Sequence, residues 1–444
     1  MMTAEEKEAE AQSTLSTCDI EGKISVVSVW REALLPYLGT RLVLVLVGLL
    51  ADFYILPLLK SNALISPVAL NIHFPDALWL MWRHFDAGFY MDIAEHGYWA
   101  ASTLQAKSDW LYLPLYPLLV NPLGHLFGGK DAAFDIAGII VSNGAGLVAV
   151  SYLYLLVRRE FGSRIACRTV YYLALFPTSF YLSAIYAESL FLACVIACIY
   201  YARQRRWWLA GMCGVLASLG RIQGFLLIVP VAWEYWQVLS DRYSPLPDRS
   251  GMMLWQKADA WLHSRLAGLL LATRQRRNWF DLLAIVLIPF GMVPFFIYSK
   301  IKTGDFLATI HSQTVGWGRH FEFPWLLLAN ALRHPRAPDA MDWNFWLLNI
   351  IVIFAFLVFI IWSLRRLSMT YTLYSFVMVI MPLSSASINS VSRYYLTIFP
   401  ALMLLALWSD NDNKPARHFL VLSLFAALQA VFMIFFVLGL PLIA

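Results

Sequence analysis

Apolar residues run along this chain in stretches long enough to cross a bilayer, and short polar stretches separate them. The runs fall near 42–59, 133–157, 169–182, 184–202, 207–220, 223–239, 280–299, 343–363, 369–388, 395–409 and 418–440. A helix needs about 20 apolar residues to cover the hydrocarbon core. These runs are continuously apolar and rich in Leu, Ala and Phe, whereas the strands of a membrane barrel alternate. The pattern therefore predicts an all-α, polytopic membrane protein with about eleven transmembrane helices. A twelfth apolar stretch, 110–128, differs from the others. It holds Pro114, Pro117 and Pro122, with Gly124, Gly128 and Gly129.

Charge decides how that stretch is read. Cytoplasmic loops collect Lys and Arg. Three segments stand out: Arg158, Arg159, Arg164 and Arg168; then Arg203, Arg205 and Arg206; then the basic residues between 240 and 279. All lie inside if the N-terminus is inside and 110–128 does not cross. Arg365, Arg366, Lys414 and Arg417 then fall inside as well. The division is about 22 basic residues inside against about 11 outside. A full crossing by 110–128 would reverse every later loop, so this stretch is expected to lie along the outer surface or re-enter it. Residues 1–41 read as a cytoplasmic N-terminal segment and 42–444 as one transmembrane domain. Its outer loops are 60–132 and 300–342, and its long cytoplasmic loop is 240–279. In that last loop Trp255, Trp261, Leu262, Leu266 and Leu269 lie among basic residues, as in a helix on the membrane surface or in a solvated loop.

Composition agrees: 60% of residues are hydrophobic and 14% charged, against about a quarter charged in soluble domains. The cysteines, Cys18, Cys167, Cys194, Cys198 and Cys213, show no metal spacing and predict no disulfide. Residues 1–24 are polar and acidic and read as a disordered segment with no cleavable signal peptide. No internal repeat is evident, which weighs against an inverted-repeat transporter.

The first outer loop carries the densest chemistry. Residues 84–98 hold the carboxylates Asp86, Asp92 and Glu95 and the histidines His84 and His96 among aromatic side chains. If 87–96 is helical, Asp86 stands at its N-cap. Phe89, Tyr90 and Ile93 would then share one face, and Asp92, Glu95 and His96 another. A carboxylate at the membrane surface suits proton abstraction from a hydroxyl. An Asp before a helix is also an ordinary cap.

The stretch from Phe85–Asp86–Ala87 through Ile93–Ala94–Glu95–His96–Gly97–Tyr98 resembles an element of the PIG-V family. That family contains the second mannosyltransferase of GPI-anchor synthesis and its prokaryotic relatives. The resemblance continues at Leu113–Pro114–Leu115–Tyr116–Pro117, at Phe176–Pro177–Thr178–Ser179–Phe180 through Tyr186–Ala187–Glu188–Ser189–Leu190–Phe191, and at Arg393–Tyr394–Tyr395. It implies a GT-C-like helical bundle with surface helices in the first outer loop, Asp86 as the catalytic aspartate, and inverting transfer. The implied donor is a polyprenyl- or dolichyl-phosphate sugar, with mannose as the sugar. Phe85 stands where the family usually has Trp, which keeps a stacking ring and removes an indole N–H.

Three arginines break the inside bias. Arg221 lies in Gly–Arg–Ile–Gln–Gly, Arg319 precedes His320, and Arg393 precedes Tyr394. Each is a snorkelling arginine or a phosphate ligand; together at one membrane face they suit stabilisation of a departing phosphate. Glu188 lies just inside an apolar helix, where a carboxylate is costly and functional or paired, with Arg221 as the natural partner. The candidate substrate-contacting set is Asp92, Glu95, His96, Tyr98, Tyr186, Glu188, Arg221, Arg319, His320, Arg393 and Tyr394. His311 and Gln313 are further polar groups on the acceptor side. No pair of acidic residues in the two outer loops forms an Asp-x-Asp motif, so no metal or other cofactor is expected.

The expected activity is transfer of a hexose from a lipid-phosphate carrier to a lipid-linked, glycan or protein acceptor at the non-cytoplasmic face. The membrane would be the cell membrane of a prokaryote or the endoplasmic reticulum of a eukaryote, with no nucleic-acid partner. The alternatives are a lipid or solute transporter and a non-catalytic subunit of another membrane enzyme.

Overall fold

The computed structural model describes residues 26–58, 73–99, 109–243, 254–272, 274–333, 340–411 and 413–440, and all secondary structure in them is helical. Six helices are long and apolar enough to cross a membrane. They are α1 (Val27–Leu58), α4 (Asp131–Phe161), Ile222–Tyr243, α10 (Arg276–Thr303), Phe345–Arg366 and α17 (Ala416–Val437). The third of these is a 3-10 turn, Ile222–Leu227, leading into α8 (Ile228–Tyr243). The fifth is the apolar part of α13 (Ala340–Arg366). Shorter apolar helices pack among them: α7 (Trp207–Gly220), α14 (Met369–Leu383) and α16 (Phe399–Ser409). Two more, α5 (Ser163–Ala174) and α6 (Glu188–Arg203), complete the bundle. The chain is a multi-pass membrane protein, as the apolar pattern predicts.

Helices outside the bundle are short. In the first outer loop lie α2 (Ala87–His96) and α3 (Leu115–Leu126). In the second lie α11 (Ala308–Trp317) and α12 (Pro324–Arg333), and α15 (Val391–Tyr395) precedes α16. The segment 240–279 holds the longer α9 (Leu254–Ala272), on which Trp255, Leu262 and Leu266 are exposed. Residues 1–24, Cys18 and residues 59–72 and 100–108 of the first outer loop lie outside the described residues.

The stretch 110–128 does not cross. At about 18 Å, α3 is too short to span. It runs antiparallel along the first turns of α4: Gly124 meets the Phe134 ring, and the Tyr116 hydroxyl donates to the Gly138 carbonyl at 2.9 Å and meets Ser142 at 2.9 Å. The helix α1 begins ahead of the expected boundary at residue 41, since it already includes residues 27–41 and buries Tyr37 and Arg41. The polar residues that interrupt the apolar run there are satisfied inside the bundle. Glu32 accepts from the Tyr154 hydroxyl at 2.6 Å.

Arg41 forms a polar knot within the membrane. It donates to the carbonyls of Ala174 and Ser179 at 2.5 and 2.7 Å and to Ser179 Oγ at 3.1 Å. Gln429 of α17 donates to the same Ala174 carbonyl and Ser179 hydroxyl. The chain needs these donors because α5 ends at Ala174, and its last carbonyls have no helical partners in a medium without water. After Pro177 a 3-10 turn, Ser179–Leu182, leads to the start of α6. The break thus delivers Tyr181, Tyr186 and Glu188 to one end of the bundle.

A second buried cluster closes the opposite end. Arg203, the last residue of α6, pairs with Glu160 at 2.7 Å and Glu234 at 2.9 Å; Tyr371 donates to Glu160 and Thr370 to Glu234. Glycines allow a close contact between α7 and α10. A Cβ on Gly211 would stand 2.3 Å from the Ala284 carbonyl oxygen, and one on Gly214 would meet Ile288.

Candidate functional site

Two backbone turns of the same kind open the site. Phe85 has φ 53° and precedes Asp86, the N-cap of α2; Ser390 has φ 62° and directly precedes α15, which bears Arg393. A left-handed conformation is uncommon outside glycine and is held only where the surroundings enforce it. At Phe85 the enforcer is Tyr186, whose hydroxyl donates to the His84 carbonyl at 2.8 Å and accepts from the Asp86 amide at 3.1 Å. The Phe85 ring packs on Phe436 of α17. Near Ser390, Thr178 of the broken segment donates to the Ser392 carbonyl at 3.1 Å.

These turns bring Asp86 and Arg393 together across 307 residues of sequence. Arg393 Nη1 donates to Asp86 Oδ2 at 2.7 Å. Asp86 stands at the N-cap position of α2, as expected, but its side chain makes no cap bond; the arginine takes that oxygen instead. Its other oxygen has no hydrogen-bond partner among the described residues. Arg393 Nε lies 3.4 Å from Glu188 Oε1, and Arg221 Nη1 lies 2.5 Å from the same oxygen. The expected pairing of Glu188 with Arg221 is therefore present, with Arg393 added. Arg319 Nη1 donates to the Tyr394 hydroxyl at 2.9 Å. The guanidinium carbons of Arg221, Arg393 and Arg319 lie 5.2, 5.3 and 5.7 Å from the Tyr394 ring centre. Burial pushes that phenol up, but Arg319, Arg393 and Arg221 outweigh it and draw it down to about 8.

A cavity of about 670 Å³ joins these groups. Its polar wall holds Asp86, Tyr186, Glu188, Arg221, Arg319, His320, Arg393 and Tyr394, with Gln313 from α11. Its apolar wall comes from α14 and the turn before α8, through Phe376, Val377, Ile380, Phe225 and Leu226. Phe376 is 47% exposed, so the cavity reaches the bilayer-facing surface at α14.

Not every candidate gathers here. Asp92, Glu95, His96 and Tyr98 do not line the cavity with Asp86. Asp92 pairs with His96 at 3.0 Å and accepts from the Trp99 indole at 2.6 Å. Tyr98 donates to the Tyr112 carbonyl at 2.7 Å and stacks on Trp110. The reason is helical geometry: Asp92, Glu95 and His96 lie on the turns of α2 beyond Asp86, and Tyr98 follows its end. Beside them Asp109 is buried, and burial together with Asp92 pushes its carboxyl up to about 6 against a backbone hydrogen bond from Trp99. His311 pairs with Asp305 at 2.6 Å, away from the cavity.

Sequence reasoning missed Tyr112, Gln223, Ser384 and Ser385, all of which line the cavity. The signal for the serines was a polar pair directly after Pro382–Leu383 at the end of an apolar run. Among the described residues no three His, Cys, Asp or Glu side chains gather as a metal ion would require.

Residues 114–246 match the model of a family described as dolichyl-phosphate-mannose-protein mannosyltransferase. That stretch is under a third of the chain and includes Glu188 and Arg221. Among solved structures the chain is similar to ArnT from Cupriavidus metallidurans bound to undecaprenyl phosphate. The identity is 15% and the TM-score 0.46, over 88% of this chain and 64% of that one. It is also similar to the oligosaccharyltransferase of Archaeoglobus fulgidus in the apo form, at 12% identity and TM-score 0.45, over 91% of this chain and 56% of that one. A structure of AglB from the same organism, in complex with an inhibitory peptide and a dolichol-phosphate, matches at 14% identity and TM-score 0.38, over 91% and 55%. This chain thus spans less than two thirds of the length of each. No curated protein matches it.

Proposed function

We propose that the protein is a glycosyltransferase of the GT-C type that moves a hexose from a polyprenyl- or dolichyl-phosphate carrier to a hydroxyl acceptor, with inversion. Mannose is the sugar favoured by the motif resemblance and by the description of the matched family. One observation carries the reading: a carboxylate with a free oxygen faces three arginines in a single cavity that reaches the lipid-facing surface. A soluble-sugar enzyme has no use for an apolar wall open to the bilayer, whereas a carrier lipid needs its tail in hydrocarbon and its phosphate against cations.

The chemistry follows from that placement. The acceptor O–H gives its proton to Asp86 as its oxygen attacks the anomeric carbon from the face opposite the phosphate. The bond from that carbon to the phosphate oxygen breaks, and its electron pair leaves with the phosphate. Arg319, Arg393 and Arg221 stand where the second phosphate charge develops, and charge-assisted bonds in a poorly solvated cavity are strong there. In this scheme the arginines carry the leaving charge and no metal is required. A transporter is disfavoured because the charged cluster sits at one end of the bundle, while the polar knot near the middle spends its donors on backbone carbonyls.

The test is turnover with labelled polyprenyl-phosphate mannose and a membrane extract. Asp86→Asn should lower transfer by about a thousand-fold, the scale of a lost general base, with the melting temperature held. Undiminished transfer in this variant sinks the assignment.

A further inference from the structure

The three arginines of the cavity do not have equal partners. Arg221 is neutralised by Glu188, in a contact of 2.5 Å that is ionic without the alignment of a hydrogen bond. Arg393 is divided between Asp86 at 2.7 Å and Glu188 at 3.4 Å. Arg319 has only the neutral Tyr394 hydroxyl. With histidine and tyrosine counted neutral, three guanidiniums face two carboxylates, and the wall carries one net positive charge. Asp92, Glu95 and Asp109 do not line the cavity and do not enter this count. Glu188 is 1% exposed, so water does not screen it. In such surroundings an unmatched charge is expensive. An anion with one charge completes the balance, and an anion with two exceeds it.

We infer that the cavity favours a singly charged phosphodiester over a doubly charged phosphomonoester, and that Glu188 sets this preference. The inference rests on the reading that the cavity holds a lipid phosphate. It gives the site a direction. A sugar-loaded carrier is a diester with one charge. The carrier left after transfer is a monoester that holds two charges above its second pKa of about 6. Glu188 orients two arginines toward the incoming diester and, once Asp86 has released the proton it takes during transfer, repels the spent carrier.

The experiment uses the full-length protein in lipid nanodiscs, titrated with polyprenyl phosphate and with polyprenyl phosphate methyl ester, which keeps one charge throughout. At pH 8 the methyl ester should bind more tightly by about ten-fold or more, the scale of one unmatched charge in a partly solvated cavity. Lowering the pH to 5.5 should close that gap as the monoester takes up a proton. The titration of the lining groups does not cancel, because each meets a dianion more strongly than a monoanion: Tyr394, drawn down to about 8, adds negative charge at pH 8 and widens the gap in the same direction, so Tyr394→Phe is run beside the wild type to isolate the proton taken up by the ligand. Glu188→Gln should remove the preference at pH 8, and Glu188→Asp should keep it. Two results overturn the inference while leaving a lipid-phosphate site standing: an unchanged ratio in a folded Glu188→Gln protein, or a wild-type preference for the monoester at pH 8. If the Gln variant does not fold, the wild-type pH series decides alone. Binding of neither ligand overturns the lipid-phosphate reading and the inference together.

Discussion

Tyr186 shows how much one hydroxyl organises. It holds the turn at Phe85 closed from both sides, and without it the Asp86 amide and the His84 carbonyl lose their partners. Asp109 is the opposite case, a carboxyl the fold tolerates at a cost. Burial and Asp92 raise it from 3.8 to about 6. Between those values the unfolded chain releases a proton that the folded chain keeps, so stability falls as pH rises from about 4 to about 6 and is flat above. Asp109→Asn should therefore raise the melting temperature at pH 7.5, by the equivalent of about 3 kcal/mol, with the gain fading toward pH 4.5. A gain that does not depend on pH contradicts this. At this scale the sequence was partly legible. Asp86 and the arginines stood out because charge is rare in apolar surroundings. Tyr112 and the serines after Pro382 did not, because an aromatic or hydroxyl residue at a helix end has many ordinary uses. Asp92, Glu95 and His96 shared the motif with Asp86, but a shared motif does not fix where a helix turns its faces.

Among the elements, contact between helices depends on missing side chains. Gly211 lets α7 approach the backbone of α10, and the Ala284 carbonyl it meets is not free to move aside. Gly211→Ala should lower stability by about 1–3 kcal/mol, the usual cost of overpacking. Gly144→Ala in α4, where nothing lies within 4 Å, should not. Thermal melting of the two variants in one detergent makes the comparison. Equal melting temperatures would refute the packing argument. The apolar runs located the spanning helices well, because hydrocarbon imposes one length and one composition. They failed where polar residues belong to a helix but find partners across the bundle. Glu32 and Arg41 hid the beginning of α1, and the break after Ala174 divided a pass that reads as one apolar run. The charge bias, rather than the hydropathy, kept 110–128 from being counted as a crossing, and α3 agrees with it.

Over the whole molecule charge is sorted by end. The end opposite the cavity carries Arg158, Arg159, Arg203, Arg206, Arg276, Arg277, Arg365 and Arg366, whereas the cavity end holds Arg221, Arg319 and Arg393 in paired or hydrogen-bonded roles. With the positive-inside rule this supports the proposal that the cavity faces the non-cytoplasmic side. In a cysteine-free background, cysteine at the exposed position Lys302 should react with a membrane-impermeant thiol reagent on intact cells, and cysteine at Arg277 only after permeabilisation. The reverse pattern would invert the proposed orientation. The knot around Arg41 has a consequence for how this molecule is made. Synthesis threads Arg41 into the bilayer first, Ala174 and Ser179 well afterwards, and Gln429 later still. Until those acceptors arrive, a bare guanidinium waits in oil at a penalty of several kcal/mol. The opening helix is thus a poor anchor alone and a secure one only in company, so a half-made chain depends on its insertion machinery for shelter.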